Sequence, residues 1–187
     1  LKALSKSYPN EAAPYASMGD ELGRIAKAQE IPLPPPKPAT EWRYEEVTDG
    51  MTDSTMRMAS IVSGNSLSLD FPYQGNNPGT ITVRRHPRHG LDVMVSIRKG
   101  QILCQVTGCM VNIRFDDDKS TSFRANGPAD HSSEVVFLEG ASSFIARAKR
   151  AKRIRVLLPL YQAGEQLLEF SSPVPLEWET SIRRKVR

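Results

Sequence analysis

Two closely spaced cysteines are the first residues whose types and spacing suggest chemistry. Cys104 and Cys109 flank a short polar segment that ends in Gly108, and apolar-rich runs lie on both sides of it. This pattern predicts a β-hairpin whose turn brings the two sulfur atoms within reach of a disulfide. Two unpaired thiols are an alternative, and a zinc site would need two further ligands. A disulfide would favour an oxidising compartment.

The three histidines, His86, His89 and His131, are the remaining candidates for metal binding or acid–base chemistry. The first two lie in a turn-like segment, most of whose residues are basic or titratable. We expect either a solvated hairpin turn or an anion site, whose cationic residues would be Arg84, Arg85 and Arg88. His131 lies between Asp130 and Ser132, which permits a hydrolase interpretation, but an Asp in a loop more often caps the turn through its carboxylate.

Two charged segments lie further along the chain. Three aspartates at 116–118 could bind calcium, but the EF-hand spacing is absent, so a hairpin turn is the preferred interpretation. The segment 147–155 is rich in Lys and Arg and contains no acid. On a helix it would form a positive patch, segregated from the acidic turns, that docks on an anionic surface. The residues predicted for this patch are Arg147, Lys149, Arg150, Lys152 and Arg153.

These residues must be positioned by short strands. The chain has 187 residues, a net charge of +4 and 39% hydrophobic residues, which is compatible with a packed core. Apolar alternation bounded by turn residues predicts a mainly β fold, an antiparallel β-sandwich or flattened barrel of about nine to eleven short strands. One covering helix is predicted over 142–153. The predicted strands are 42–48, 56–62, 66–71, 80–84, 92–98, 101–105, 110–115, 120–125, 134–138, 155–160 and 166–171.

The start of the chain has a different pattern from the β domain. We predict an N-terminal helical arm at 1–30, a Pro-rich linker at 31–40, a β-sandwich-like domain at 41–178 and a basic tail at 179–187. The thin apolar stripe of the arm, Leu22, Ile25 and Ala26, predicts docking on a protein partner. Because the chain begins at Leu1 rather than Met, a signal peptide or membrane anchor could precede it.

The segment from Trp42 to Trp178 resembles an uncharacterised exported β-rich domain of proteobacteria. The matching features are Arg84-x-His-Pro-x-x-Gly90-x-Asp92-Val, Gly100-Gln-Ile-x-Cys104 with Cys109, Arg114-Phe-Asp-Asp and Leu-x-Trp178. The segment is more loosely similar to type VI secretion-associated TagO/VasI-like envelope proteins, through its opening Trp, Met51-Thr-Asp53 and the later Arg-Phe-Asp. The resemblance implies export and an accessory, non-catalytic role in the envelope, and it transfers no catalytic residue.

Together these features predict a non-catalytic binding or assembly module of the bacterial cell envelope, an accessory subunit of a secretion or other envelope apparatus. We expect a periplasmic or exported protein with protein partners and with neither cofactor nor metal. Nucleic acid is not the expected partner, because aromatic residues make up only 7% of the chain and their positions on alternating strand faces predict that they lie in the core. Two alternatives stay open: an envelope-polymer hydrolase that uses His86, His89 or His131, and an anion- or lipid-binding module that uses the basic helix.

Overall fold

A computed structural model describes residues 40–104 and 107–178. The predicted arm, nearly all of the linker and the basic tail lie outside these ranges. The described elements are one helix and nine strands, and in chain order they are β1 (Arg43–Thr48), β2 (Thr55–Ser66), β3 (Pro78–His86), β4 (Gly90–Ile97), β5 (Cys109–Phe115), β6 (Thr121–Asn126), β7 (Val135–Leu138), α1 (Ala141–Ala148), β8 (Arg153–Leu160) and β9 (Gly164–Ser171).

The nine strands form one antiparallel sheet in the order β1-β2-β3-β4-β7-β6-β5-β8-β9. The mainly β prediction with about nine strands and one helix is therefore confirmed. The sheet is not closed, but it curls until the end of β2 meets β9. Gly79, at the start of β3, permits this approach, because a Cβ there would clash with the side chain of Leu168 on β9.

Alternating apolar residues of these strands face the inside of the curled sheet and form one core. On β3 and β4, for example, Ile81, Val83, Val93 and Val95 have no exposed surface. The helix α1 adds Phe144, whose ring makes edge-to-face contacts with Phe115 and Phe123 at centroid distances of 5.4 and 6.2 Å. This aromatic cluster holds the helix against β5 and β6.

Two predicted strands are absent from the described sheet. The 66–71 segment leaves the sheet after Ser66, and only part of its alternation is used: Leu67 is buried, whereas Phe71 is 82% exposed. The 101–105 segment does not form a hairpin with β5. Instead Ile102 makes an isolated bridge to Leu160, because the chain here crosses to the end of β8. The predicted cysteine hairpin was therefore wrong.

The predicted helix over 142–153 was too long at its C-terminal end. The helix α1 ends at Ala148, and the chain turns there because the Asp116 carboxylate accepts hydrogen bonds from the backbone N–H groups of Lys152 and Arg153, at 3.0 and 2.8 Å. These contacts start β8 earlier than the sequence predicted. No helix among the described residues is long and apolar enough to cross a membrane.

Candidate functional site

The three arginines predicted for an anion site at the β3–β4 turn, Arg84, Arg85 and Arg88, do not form one cluster of unpaired cations. Arg84 donates two hydrogen bonds to Asp92 Oδ2, from Nε at 3.0 Å and from Nη2 at 2.6 Å, and both side chains are largely buried. Asp92 comes from the neighbouring strand β4, directly opposite Arg84 in the register. Arg85 directly precedes His86 and lies opposite Arg57 of β2 and Leu91 of β4. Of the predicted three, only Arg88 is an exposed residue of the turn itself.

The imidazole rings of the two histidines of this turn contact each other in a tilted arrangement, with ring centroids 4.5 Å apart. His86 Nδ1 accepts a hydrogen bond from the Arg88 backbone N–H at 3.1 Å, which requires the unprotonated nitrogen. Partial desolvation lowers the pKa of His86, and the positive charges of His89, Arg84 and Arg88 lower it further. His86 borders a cleft of about 380 Å³ against the β1–β2 hairpin, together with Pro87 and Arg88.

The predicted positive patch of the basic segment loses much of its charge to the aspartate turn. Arg153 Nη2 lies 2.6 Å from Asp117 Oδ1, and Arg147 Nη2 lies 3.6 Å from Asp118 Oδ2. The predicted segregation of these charges was wrong, because the β5–β6 turn folds directly against the start of β8. Of the five residues predicted for the patch, Lys149, Arg150 and Lys152 are exposed and make no ion pair with a described residue.

The same contacts bear on the calcium alternative at Asp116–Asp118. Asp116 Oδ1 is occupied by two backbone N–H donors, and Asp117 Oδ1 by the Arg153 guanidinium. The aspartates therefore act in the described structure as a hairpin turn and as the partners of β8. Among the described residues no group of three or more acidic, His or Cys side chains could hold a metal ion.

Cys104 and Cys109 form the predicted disulfide, with their Cα atoms 4.8 Å apart. The bond connects the stretch after Ile102 to the first residue of β5. Both segments lie beside β8, because Ile102 bridges to Leu160 and β5 pairs with β8, but they are not the two arms of one hairpin. Both thiols are consumed by this bond, so neither the free-thiol nor the zinc alternative applies to this structure.

His131 lies in the loop that borders a cleft of about 310 Å³ beside the disulfide. Its neighbour Asp130 accepts the Ser132 backbone N–H through Oδ1 at 3.0 Å, and this hydrogen bond lowers the pKa of the carboxyl. Asp130 thus caps its own turn, as the sequence predicted. The hydrolase alternative would need a carboxylate that orients His131. The Asp130 Oδ1 atom instead accepts a hydrogen bond from its own loop.

The sequence did not single out β1 as a surface, yet its position is the most unusual in the sheet. Every residue of β1 is exposed, and β2 is its only neighbour in the described sheet. The adjoining turn is ordered by Asp49, whose Oδ1 accepts the backbone N–H groups of Met51 and Thr52 at 2.8 and 3.0 Å. The sequence signal that was missed is the position of Tyr44 and Val47, which fall on opposite faces of a strand and so give β1 no continuous apolar face.

The predicted docking residues Leu22, Ile25 and Ala26 lie outside the described residues. The structure therefore adds nothing to that prediction, and the candidate surfaces all belong to the β domain. No family model, curated protein or solved structure matches the chain.

Proposed function

We propose that this protein is a non-catalytic binding and assembly module of the bacterial cell envelope, an accessory subunit of a secretion or other envelope apparatus. We propose further that it joins its complex through the outer edge of β1, which pairs with an extended segment of a protein partner. The observation that carries this proposal is the contrast between the two edge strands of the sheet.

The β9 edge is blocked. Leu167 O and the Glu169 N–H are hydrogen-bonded to the Asn65 side chain, and Ser171 O accepts the Thr40 backbone N–H at 2.7 Å. The β1 edge has no such cover among the described residues. Proteins normally block an open edge because its unpaired backbone groups bind other strands.

The register defines which backbone groups of β1 face outward. The Asp49 N–H donates to Ser54 O at 2.9 Å, so the alternation of an antiparallel ladder directs the groups of Val47 and Glu45 toward β2. The N–H and C=O groups of Tyr44, Glu46 and Thr48 then point away from the sheet. A partner strand would pair with these three residues, as in strand addition to other sheet edges.

The charge of the edge indicates the chemistry of the partner. Glu41, Glu45, Asp49 and Asp53 are exposed on or beside β1, whereas Glu46 is paired with Arg57 at 2.9 Å. Arg43 is the one basic residue of β1. We therefore expect a segment that carries Lys or Arg, since like charges across an interface oppose association. The same acidic residues protect the edge from unspecific strand pairing.

The envelope location is supported by the disulfide, because such bonds persist in oxidising compartments such as the periplasm. The resemblance of 42–178 to exported β-rich domains supports the same compartment.

The test removes one outward backbone N–H of β1 and leaves the pairing of β1 with β2 unchanged. Glu46→Pro removes one outward donor, and proline is tolerated on the open side of an edge strand. Glu46→Ala is the matched control, because it removes the same side chain and the Arg57 ion pair but keeps the N–H. A photo-crosslinking amino acid in place of Thr48 then reports the occupant in cells, with the same amino acid in place of Val174 as the surface control.

We expect crosslinks from position 48 to a basic extended segment of another protein. They should be retained in Glu46→Ala and lost in Glu46→Pro, while both variants give the amide spectrum of a folded β1–β2 hairpin. Complex formation that is unchanged in Glu46→Pro would contradict the proposal, and so would crosslinks only to the tail of this chain or to a second copy.

A further inference from the structure

A small cleft lies on the side of the domain where the loop after β2 approaches the β8–β9 turn. Its volume is about 220 Å³, less than the roughly 300–1,000 Å³ of pockets for drug-sized ligands. The residues that give it its chemical character are Asp70, Phe71, Tyr73, Gln101, Tyr161 and Gln166. None of them was singled out as a site by the sequence patterns, and the cleft does not include residues of β1.

Two aromatic side chains border this cleft in exposed positions. Phe71 is 82% exposed and Tyr161 is 50% exposed. Apolar alternation had placed Phe71 on the same face as Leu67, which is buried, so the fold turns this ring outward although its sequence pattern is that of a core residue. Single exposed apolar side chains are common, but two exposed rings that border one polar cleft give a ligand an apolar surface beside hydrogen-bonding groups.

The backbone holds both walls of the cleft in place. The Tyr161 backbone N–H donates to Gln101 O at 2.9 Å, which ties the end of β8 to the segment after β4. On the opposite wall the Tyr73 backbone N–H donates to Asp70 O at 2.8 Å. The two walls meet where Gln101 Nε2 donates to Tyr73 Oη at 3.1 Å. The rings are therefore carried by hydrogen-bonded backbone, which reduces the ordering cost of binding.

The polar groups of the cleft are neutral amides and hydroxyls with one carboxylate. Gln101 keeps its Oε1 as an acceptor, the Tyr73 hydroxyl can still donate, and the Asp70 carboxylate accepts. Gln166 is held by its Nε2 hydrogen bond to Ala163 O at 2.7 Å, which leaves its carbonyl oxygen available. No Lys, Arg or His is among the described residues that line the cleft. A phosphate or carboxylate ligand would therefore find no cation there.

We propose that this cleft binds one neutral sugar unit of a glycan. A pyranose ring has an apolar C–H face, which can stack on Phe71 or Tyr161, and a rim of hydroxyls that both donate and accept. The amides, the hydroxyl and the carboxylate of the cleft match that rim. This site is independent of the proposed strand pairing at β1, because the two use different residues of the domain.

The test is an NMR titration of the isotope-labelled protein with four probes: the β-1,4-linked N-acetylglucosamine trimer, cellotriose, maltotriose and mannotriose. We expect at least one trisaccharide to shift the amide resonances of Phe71, Gln101 and Tyr161 at millimolar concentration. Tyr161→Ala and Phe71→Ala should each weaken that binding by about three- to tenfold, the usual contribution of one aromatic contact. Both residues are exposed, so we expect the variants to remain folded, which the same spectra check.

Tyr44→Ala is the matched control, since Tyr44 is 49% exposed and lies on β1, away from the cleft. It should leave the titration unchanged, and Tyr161→Phe should retain most of the affinity. Absence of cleft shifts with all four trisaccharides would overturn the proposal, as would equal shifts in Tyr161→Ala. A neutral tripeptide that occupies the cleft at lower concentration than every sugar would also overturn it. The titration needs no partner protein, so its outcome is separate from that of the β1 experiment.

Discussion

The side chain of Asn65 takes the place of a strand at the edge of β9, opposite Leu167. Its Nδ2 donates to Leu167 O at 2.8 Å, and its Oδ1 accepts the Glu169 backbone N–H at 2.8 Å. Asn65 lies where the β2–β3 register shifts between Val62 and Ser66. This bulge turns the side chain toward β9, and the carboxamide then hydrogen-bonds to both backbone groups as a neighbouring peptide unit would.

We expect Asn65→Ala to lower the free energy of unfolding by about 1–3 kcal/mol, because it leaves a backbone donor and acceptor of β9 without their partners. Urea denaturation measures the change, and hydrogen exchange of the Glu169 amide should accelerate. Asn112→Ala is the control, since among the described residues its side chain makes only an exposed hydrogen bond with the Ser122 hydroxyl on the neighbouring strand. Equal losses in the two variants would contradict the role of Asn65 at the seam.

Gly79→Ala should be destabilising by about 1–3 kcal/mol, because a methyl group there overlaps the Leu168 side chain that packs against β3. Gly50→Ala provides the comparison, as nothing lies within 4 Å of a Cβ at that position. Thermal unfolding of the two variants tests the expectation. A Gly79→Ala protein as stable as Gly50→Ala would mean that β3 and β9 are further apart than described.

His86 should titrate below its usual pKa of 6.5. The folded protein then binds fewer protons at this site than the unfolded chain, so the contribution of His86 to stability is present above pH 6.5 and is lost as the pH falls through the folded pKa. The titration of its imidazole protons by NMR measures the pKa directly. His89→Ala should raise that pKa by removing a nearby positive charge, whereas His131→Ala should leave it unchanged.

The Cys104–Cys109 disulfide closes a short loop, so we expect its removal to cost about 2 kcal/mol at most through loop-closure entropy. Cys104→Ser combined with Cys109→Ser should therefore leave a folded domain, with faster hydrogen exchange near Ile102 and at the start of β5. A free-thiol assay on the native protein should find no reactive thiol. Two reactive thiols would remove the disulfide from the argument for an oxidising compartment.

Much of the β architecture was predictable from residue patterns. Alternation identified β3, β4 and β5 to within two residues at each end, because each has one face in the core and one outside. The same rule failed at Phe71, where an alternating segment leaves the sheet after Ser66. Alternation records which residues are apolar, and it does not record whether a neighbouring strand is present to continue the ladder.

The sequence alone determined the mainly β class, and it favoured the Cys104–Cys109 disulfide and a turn at Asp116–Asp118 and at Asp130, since these depend on residues close together in the chain. Only the tertiary structure decided which charges neutralise each other and which edge stays open. Asp117 and Arg153 meet across 36 residues of sequence, and Asn65 reaches Leu167 across 102. The local sequence pattern carries no information about contacts of that range, because they follow from the spatial order of the strands in the sheet.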